Sequence, residues 1–300
     1  MIKQRLATGG ILGGMALLAL LVPGRIGETF FLILAVGFSS MAVLEFLNLT
    51  RSSGLPGYPR TTAATVALLV AMTCFRGMAQ RPGLAFTGLW GGILLEVFVF
   101  LVFLMIVVTM VVRSGDFSLN FKRALISVSV LTIIMGTLGF IPRLYFLTPG
   151  HCGGRHLLLY LFLVTKSADI GAYAVGMTTA KRPEGNHKMI PAISPKKSWE
   201  GLAGGTITAI LVALLFMKLA PVEQLFGTPW FLRILGTAVF GAFCSFAGLF
   251  GDLGESLLKR ATGAKDSGNL PGLGGVLDVL DSLILVTPLF YIYVTIQLYQ

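Results

Sequence analysis

Charged side chains are scarce in this chain: Asp, Glu, Lys and Arg make up 12% of its 300 residues, while 55% of the residues are hydrophobic. Soluble globular proteins carry about twice that charged fraction, so water is not the main solvent of this chain. Apolar runs of about 20 residues, long enough for a helix to cross a hydrocarbon core, recur along nearly the whole sequence. The alternating segments of a membrane β-barrel are lacking. The sequence therefore predicts an all-α, polytopic bundle of transmembrane helices.

Cysteine and histidine are also scarce, with three residues of each. No two cysteines form a CxxC pair, which argues against a zinc site and against a disulfide framework. No two histidines stand four residues apart, which is the spacing of a metalloprotease helix. Acidic residues are outnumbered, so the net charge is +10, but the basic residues lie between apolar runs and form no continuous soluble surface. We therefore expect anionic lipid headgroups and phosphate substrates as partners, and no nucleic acid.

Nine apolar segments are predicted to span the membrane. Their approximate limits are 6–22, 29–49, 61–80, 84–112, 124–147, 157–179, 201–220, 230–250 and 282–299. With the N-terminus in the cytoplasm, about two thirds of the 23 Lys and Arg residues fall in cytoplasmic segments, as the positive-inside rule requires. No internal repeat is visible, so residues 1–300 are predicted to form one membrane domain, with scaffold spans in 1–150 and catalytic spans and loops in 151–300.

Small residues recur at a spacing of four in two of these spans: Gly9 and Gly13, Gly10 and Gly14, and Gly201 and Gly205. Such spacing lets the backbones of two helices approach closely. Either packing within the chain or a homodimer seam would use it, and packing within the chain is the favoured interpretation.

Two charged residues interrupt the sixth span. Lys166 and Asp169 stand three residues apart, so a helix places them on neighbouring positions of one face. A charge near the centre of a bilayer costs about 2.5–3.5 kcal/mol even on the most lenient insertion scale. These two residues are therefore expected either to neutralise each other or to face a polar site.

A basic segment precedes the seventh span. Ser194 to Gly201 reads SPKKSWEG, in which Lys196 and Lys197 offer positive charge to phosphate and Ser198 can cap the following helix. A lysine pair at a cytoplasmic helix start is also what the positive-inside rule produces, so alone this segment does not decide between the two interpretations.

The segment from residue 251 to residue 281 carries the strongest chemical signal. Asp252 lies near the end of the eighth span, and Asp278 and Asp281 precede the ninth at a spacing of three, which would place both on one helix face. Carboxylates of this kind are the hard oxygen ligands that Mg²⁺ takes alongside water and substrate phosphates. The glycines between Gly268 and Gly275 permit close approach of the backbone to phosphate, although no P-loop fingerprint is present.

Together these residues resemble, in order, the sequence blocks of the phosphatidate cytidylyltransferases (CDP-diacylglycerol synthases). The matching blocks are DIGAY from Asp169, SPKKSWEG from Ser194, GDLGES from Gly251 with Leu258-Lys259-Arg260, and Lys265-Asp266, Pro271-Gly272, Gly274-Gly275, Asp278 and Asp281. The resemblance covers roughly residues 165–290. It departs from the family at Leu273, where the family has His, and at Val279, where it has Arg, and the loop is one residue shorter.

The resemblance implies an enzyme that joins CTP to phosphatidate, giving CDP-diacylglycerol and pyrophosphate in phospholipid biosynthesis. It implies Mg²⁺ ligands at Asp252, Asp278 and Asp281, with a second cation left open, and catalytic roles for the same three residues and for Lys265 and Asp266. It implies substrate-binding roles for Ser194, Lys196, Lys197, Lys259, Arg260, Asp169, Glu200 and Glu255. It also implies a bacterial inner membrane with the active site facing the cytoplasm.

Three other functions remain open at this stage: a CTP-dependent lipid kinase, a cytidylyltransferase for another lipid phosphate, and a membrane transporter. Transporters commonly contain inverted repeats and broken helices at the bilayer midplane. The lack of a repeat and the concentration of polar residues at cytoplasmic span ends argue against a transporter.

Overall fold

The computed structural model describes residues 2–79, 89–147, 153–219, 225, 229–264, 266–268 and 274–299. Helices α1 to α11 cover Ile2–Leu21, Arg25–Ser52, Pro59–Ala79, Leu89–Val112, Phe117–Thr137, Phe140–Tyr145, Gly154–Thr179, Trp199–Leu215, Trp230–Ala261, Val276–Leu280 and Leu283–Tyr299. A short 3₁₀ turn, Met217–Leu219, follows α8. Within these residues the protein is helical almost throughout, as predicted.

Six helical stretches among the described residues are long and apolar enough to cross a membrane. Five of the six are α2, α3, most of α4, α7 and α9, and the sixth is formed by α5 together with α6. Helices α8 and α11 are apolar but shorter. The protein is therefore a polytopic helical membrane protein. The count of nine spans and the cytoplasmic N-terminus stay predictions.

The chain folds into two compact units. The first comprises Met1–Phe146 and Ala261–Val279, and the second comprises Leu147–Arg260 and Leu280–Gln300. The segment Ala261–Val279, which sequence reasoning grouped with the catalytic half, thus folds with the scaffold helices. The assignment of the whole chain to one domain stays a prediction.

Buried charge is paired inside the first unit. Glu96 of α4, with a side chain 17% exposed, forms ion pairs with Arg143 of α6 and, at 3.9 Å, with Arg76 of α3. Thr73 Oγ1 donates a 3.2 Å hydrogen bond to the same carboxylate. Because isolated charges are costly among apolar helices, this cluster stabilises α3, α4 and α6 against one another.

Glycines set the packing of α7 against α8 in the second unit. A Cβ atom at Gly205 would lie 2.7 Å from the carbonyl oxygen of Ala168, and one at Gly201 would lie 3.0 Å from that of Ala172. Only glycine permits such an approach of two helix backbones. The favoured interpretation of this spacing, packing within the chain, is therefore confirmed for Gly201 and Gly205.

A small β-hairpin precedes α8, and the sequence analysis did not predict it. Strands β1 (Lys188–Ile190) and β2 (Ser194–Ser198) pair antiparallel. Trp199 N donates to His187 O and closes the base of the hairpin. The predicted helix cap is confirmed, because Ser198 Oγ accepts a 3.1 Å hydrogen bond from Gly201 N.

One helix near the candidate site is longer than its predicted span, and one predicted helix face is wrong. Helix α9 contains the predicted span 230–250 and continues to Ala261, and its polar residues after Gly251 form ion pairs with Lys197 and Lys259. Helix α10 ends at Leu280, so Asp281 lies in a turn and does not share a helix face with Asp278. In that turn Asp281 O accepts from Ile284 N and starts α11.

Glycine packing can be tested with Gly205→Ala. We expect a loss of about 1–3 kcal/mol in stability, since the new methyl group forces α7 and α8 apart. Gly254→Ala is the control, because nothing lies within 4 Å of a Cβ atom at that position. Thermal unfolding of the purified protein in detergent should show a lower midpoint for Gly205→Ala only. Equal midpoints for the two variants would contradict the packing role.

Candidate active site

Three carboxylates meet in the second unit. Asp252 and Glu255 stand three residues apart on α9, and Asp281 lies in the turn before α11. One oxygen from each lies within 4.8 Å of the others, so the three residues are candidates to share one metal ion. This group is the only cluster of its kind found among the described residues.

Two glycines of α9 let the turn approach the helix this closely. A Cβ atom at Gly251 would lie 2.3 Å from Asp281 O, and one at Gly248 would lie 3.5 Å from the Cβ of Ser282. This contact explains why the GDLGES block begins with glycine, because any side chain at Gly251 would displace the backbone that carries Asp281.

Each carboxylate of the cluster has a lysine partner. Lys197 Nζ lies 2.8 Å from Asp252, and Lys259 Nζ lies 2.6 Å from Glu255. Lys166 Nζ lies 3.7 Å from Asp281. The cluster is thus a set of three alternating ion pairs.

Lys166 is the lysine that the family resemblance did not assign. Besides Asp281, its Nζ contacts Asp169 at 3.2 Å and donates a 2.7 Å hydrogen bond to Ser282 Oγ. Lys166 therefore links α7 to the start of α11. The two expectations for the Lys166 and Asp169 pair both hold in part, because the residues neutralise each other and also belong to a polar cluster.

Asp281 has an unusual protonation equilibrium. Burial raises its pKa to about 6, Lys166 opposes this, and the charge of Asp252 raises it further. A nearby cation would stabilise the ionised form of such a carboxylate, which burial alone disfavours. Together with the short distances among three hard oxygen donors, this fits a divalent cation such as Mg²⁺.

The basic segment lies on the β-hairpin and around it. Lys196 is exposed on β2, whereas Lys197 is largely buried and also donates to Leu249 O at 3.2 Å. Arg260 Nε donates a 3.2 Å hydrogen bond to Ile193 O, so it anchors the hairpin tip to the end of α9. At the hairpin base, Glu200 accepts from His187 N and pairs with His187 Nδ1 at 2.6 Å. Ser194 begins β2 opposite Ile190.

Asp278 is placed in the first unit, within the glycine-rich segment. Its Oδ2 accepts hydrogen bonds from Ser267 N at 3.0 Å and from Gly275 N at 2.7 Å. Among the described residues, the carboxylate cluster contains Glu255, for which the resemblance implies substrate binding, and does not contain Asp278. The assignment of Asp278 as a metal ligand stays a prediction.

The remaining predicted residues are more exposed or lie elsewhere. Asp169 is 43% exposed, and Asp266 is exposed in the segment before Ser267. Lys265 and Leu273 lie outside the described residues. Sequence reasoning missed Ser282, for which no pattern gave a signal, and Glu45, whose signal was an acidic residue in an apolar helix.

An apolar cavity of about 750 Å³ lies along α9 and α11 in the second unit, away from this cluster. Leu232, Val239, Phe243 and Phe290 are among its lining residues, and none of the predicted site residues lines it. Its chemistry suits a lipid acyl chain and not a nucleotide.

Comparisons with known proteins identify the family to which the chain belongs. Residues 3–297 match the sequence model of the cytidylyltransferase family. The phosphatidate cytidylyltransferase of Bacillus subtilis is 32% identical over 96% of this chain and 96% of its own length. The enzymes of that name from Haemophilus influenzae and Staphylococcus haemolyticus are 39% and 42% identical, over 55% and 46% of this chain. The matched regions cover about half the length of these two relatives, 54% and 49%.

The role of Lys166 can be tested with Lys166→Met. Breaking a fully buried ion pair costs about 3–5 kcal/mol. We expect a smaller loss of about 1–3 kcal/mol in stability here, because Asp281 is only partly buried and Asp169, the other acid that loses its cation, is exposed. Adding Asp281→Asn should recover part of the loss, since the uncompensated charge is then gone. Lys181→Met, at an exposed lysine just after α7, is the control. Unfolding midpoints in detergent that are additive across the double-mutant cycle would contradict the pairing.

Proposed function

The chain belongs to the cytidylyltransferase family, and we propose that it transfers the cytidylyl group of CTP to phosphatidate, giving CDP-diacylglycerol and pyrophosphate. The single observation that carries the proposal is the cluster of Asp252, Glu255 and Asp281 with its lysines, which lies inside the matched region. Carboxylates for a cation and lysines for phosphates are the two elements that such a transfer needs.

Asp252, Asp281 and Glu255 are the residues that would hold Mg²⁺, and Asp278 remains a further candidate ligand. Bound there, the cation would supply charge stabilisation for the phosphates of CTP. The resemblance leaves a second cation open.

The lysines have two sets of partners available. In the structure Lys197 and Lys259 neutralise Asp252 and Glu255. When the carboxylates turn to a cation, the same lysines can turn to phosphate oxygens, for which an ammonium group is a strong point charge. Pairing with a carboxylate and contact with substrate phosphate are therefore compatible roles. Lys196, which is already exposed, needs no such exchange.

The attacking group needs little help from the protein. A phosphate monoester has a second pKa near 6, so the phosphatidate oxygen is largely ionised at neutral pH. In-line placement of that oxygen and the α-phosphorus of CTP then matters more than a general base. The replacement of the family His by Leu273 is compatible with activity for this reason.

The substrates also explain why the site belongs to a membrane protein. Phosphatidate keeps its acyl chains in lipid, whereas CTP arrives from water, so the reaction must take place near a leaflet boundary. We propose that this boundary is the cytoplasmic face of a bacterial inner membrane, because the basic residues favour that orientation and CTP is in the cytoplasm. A homodimer stays a prediction.

The first test is an assay of the purified protein with CTP, phosphatidate and Mg²⁺. We expect a CDP-lipid and one pyrophosphate for each CTP consumed. Free CDP with a phosphorylated lipid would instead identify a lipid kinase, and turnover only with another lipid phosphate would identify a different cytidylyltransferase. No product from folded protein would overturn the proposed activity.

The second test concerns the carboxylates. Asp252→Asn and Asp281→Asn should each lower kcat on the order of 100-fold or more, because several kcal/mol of charge stabilisation are lost. Glu184→Gln, at an exposed acidic residue after α7, is the control and should keep normal activity.

Mn²⁺ binding, followed by electron paramagnetic resonance without substrate, gives a readout besides activity. We expect Asp252→Asn/Asp281→Asn to bind Mn²⁺ more weakly than wild type and Glu184→Gln. Unchanged Mn²⁺ affinity together with normal turnover in both single variants would overturn the ligand assignment while leaving the proposed reaction standing.

A further inference from the structure

A buried glutamate in the first unit contacts the glycine-rich segment. Glu45 lies in α2 and is 8% exposed. Its Oε1 accepts a 2.8 Å hydrogen bond from Val276 N, and its Oε2 accepts from Leu277 N at 3.0 Å and from Ser267 Oγ at 3.2 Å. One carboxylate therefore binds both ends of the segment between Ser267 and Leu277.

Two glycines of this segment, Gly268 and Gly275, are explained by that carboxylate. A Cβ atom at Gly268 would lie 2.2 Å from Glu45 Oε1, and one at Gly275 would lie 2.5 Å from Oε2. Gly274 has a φ of +83°, which residues with side chains rarely adopt. Glycines in this block thus allow close contact with the Glu45 carboxylate, in addition to any contact with substrate.

Asp278 completes the network from within the segment. Besides its bonds from Ser267 N and Gly275 N, its Oδ2 lies 2.9 Å from Ser267 Oγ. The Ser267 hydroxyl therefore lies between the carboxylates of Glu45 and Asp278. Upstream of the segment, Ser52 Oγ at the end of α2 donates to Thr262 O at 3.3 Å.

The segment cannot hold this conformation by local structure alone. Helix α10 has five residues, too few to be stable without external contacts. Its first N–H groups have no partner within the helix, and Glu45 accepts two of them. Removing the carboxylate would leave those N–H groups buried without their acceptor, which is costly.

We propose that Glu45 is a positioning residue for the reaction: it holds residues 266–268 and 274–278 in the conformation that turnover requires. This inference rests on the proposed function, because the segment carries Asp266 and Asp278 of the matched family blocks, and α10 leads directly into Asp281 in the chain. Glu45 itself contacts no predicted metal ligand or substrate-binding side chain among the described residues, and its effect passes through Ser267 and the backbone of α10.

The first arm of the test measures amide hydrogen exchange by mass spectrometry, without substrate. In Glu45→Gln, the amides of residues 274–277 should exchange about tenfold faster or more than in wild type, because an amide NH₂ now faces backbone donors. Exchange in the hairpin, residues 188–198, should not change. Glu28→Gln is the matched control: Glu28 lies on the same helix, and its side chain forms no hydrogen bond within the described part of the chain.

The second arm measures kinetics on the same proteins. A loss of folded protein lowers kcat in proportion to the folded fraction and leaves the KM for CTP unchanged. A displaced segment should instead raise the KM for CTP about fivefold or more in Glu45→Gln, and less in Ser267→Ala, which keeps both backbone bonds to Glu45. Glu28→Gln should match wild type.

These outcomes separate the inference from the proposed function. A wild type that forms no CDP-diacylglycerol would overturn the function, whereas the exchange arm would still decide whether Glu45 holds the segment. If Glu45→Gln does not fold, the smaller exchange increase expected for Ser267→Ala decides instead. Unchanged exchange at residues 274–277, a KM for CTP equal to that of wild type, or an equal effect of Glu28→Gln would each overturn the positioning role.

Discussion

The ion pairs between three carboxylates and three lysines are the constraint on which the candidate site depends. Two like charges 4.8 Å apart repel by about 3 kcal/mol at an effective dielectric constant of 20, and Asp252, Glu255 and Asp281 form three such pairs. Each carboxylate meets a lysine that offsets this cost. The lysines come from three different elements, α7, β2 and α9, so the cluster also ties these elements together.

The two units neutralise the acidic residues of their packed helices in different ways. In the first unit Glu96 is neutralised by two arginines, and Glu45 is satisfied by backbone N–H groups and a hydroxyl. In the second unit the acids are paired with lysines, whose ammonium groups lie on flexible stems. Arginine forks and backbone amides hold a geometry, whereas a lysine can change partner at small cost. This difference fits structural roles for Glu96 and Glu45, and it fits lysines in the cluster that change partner from carboxylate to phosphate.

The features that the sequence predicted well are those with a local cause. Long apolar runs make helices in lipid, Ser198 caps α8 through its own side chain, and Gly201 and Gly205 mark a close helix contact. Each follows from residues near one another in the chain. The family blocks contain all three carboxylates of the cluster, but they gave Glu255 a substrate-binding role and grouped Asp278 with Asp252 and Asp281.

The features that the sequence did not predict depend on distant contacts. Glu255 joins the metal-binding candidates only because α9 continues past residue 250, and the continued part pairs with Lys197 of β2 and with Lys259 of α9 itself. Asp281 leaves the helix face of Asp278 because α10 ends after five residues. The spacing of residues along the chain shows neither the length of α9 nor the end of α10. A charged residue inside an apolar helix was the one usable sign, and it pointed to Lys166 correctly and would have pointed to Glu45.

The departure from the family pattern at Val279 falls on a position that the observed network does not use, whereas Leu273 lies outside the described residues. Glu45 and Asp278 bind the segment through Ser267, Gly275, Val276 and Leu277, and none of these bonds involves the side chain of Val279. In the proposed reaction the nucleophile is already ionised, so a His at 273 would add a titratable group that the nucleophile does not need, and an Arg at 279 would add one more cation to a chain whose net charge is already +10. Val279 therefore leaves the observed bonds that shape the segment unchanged.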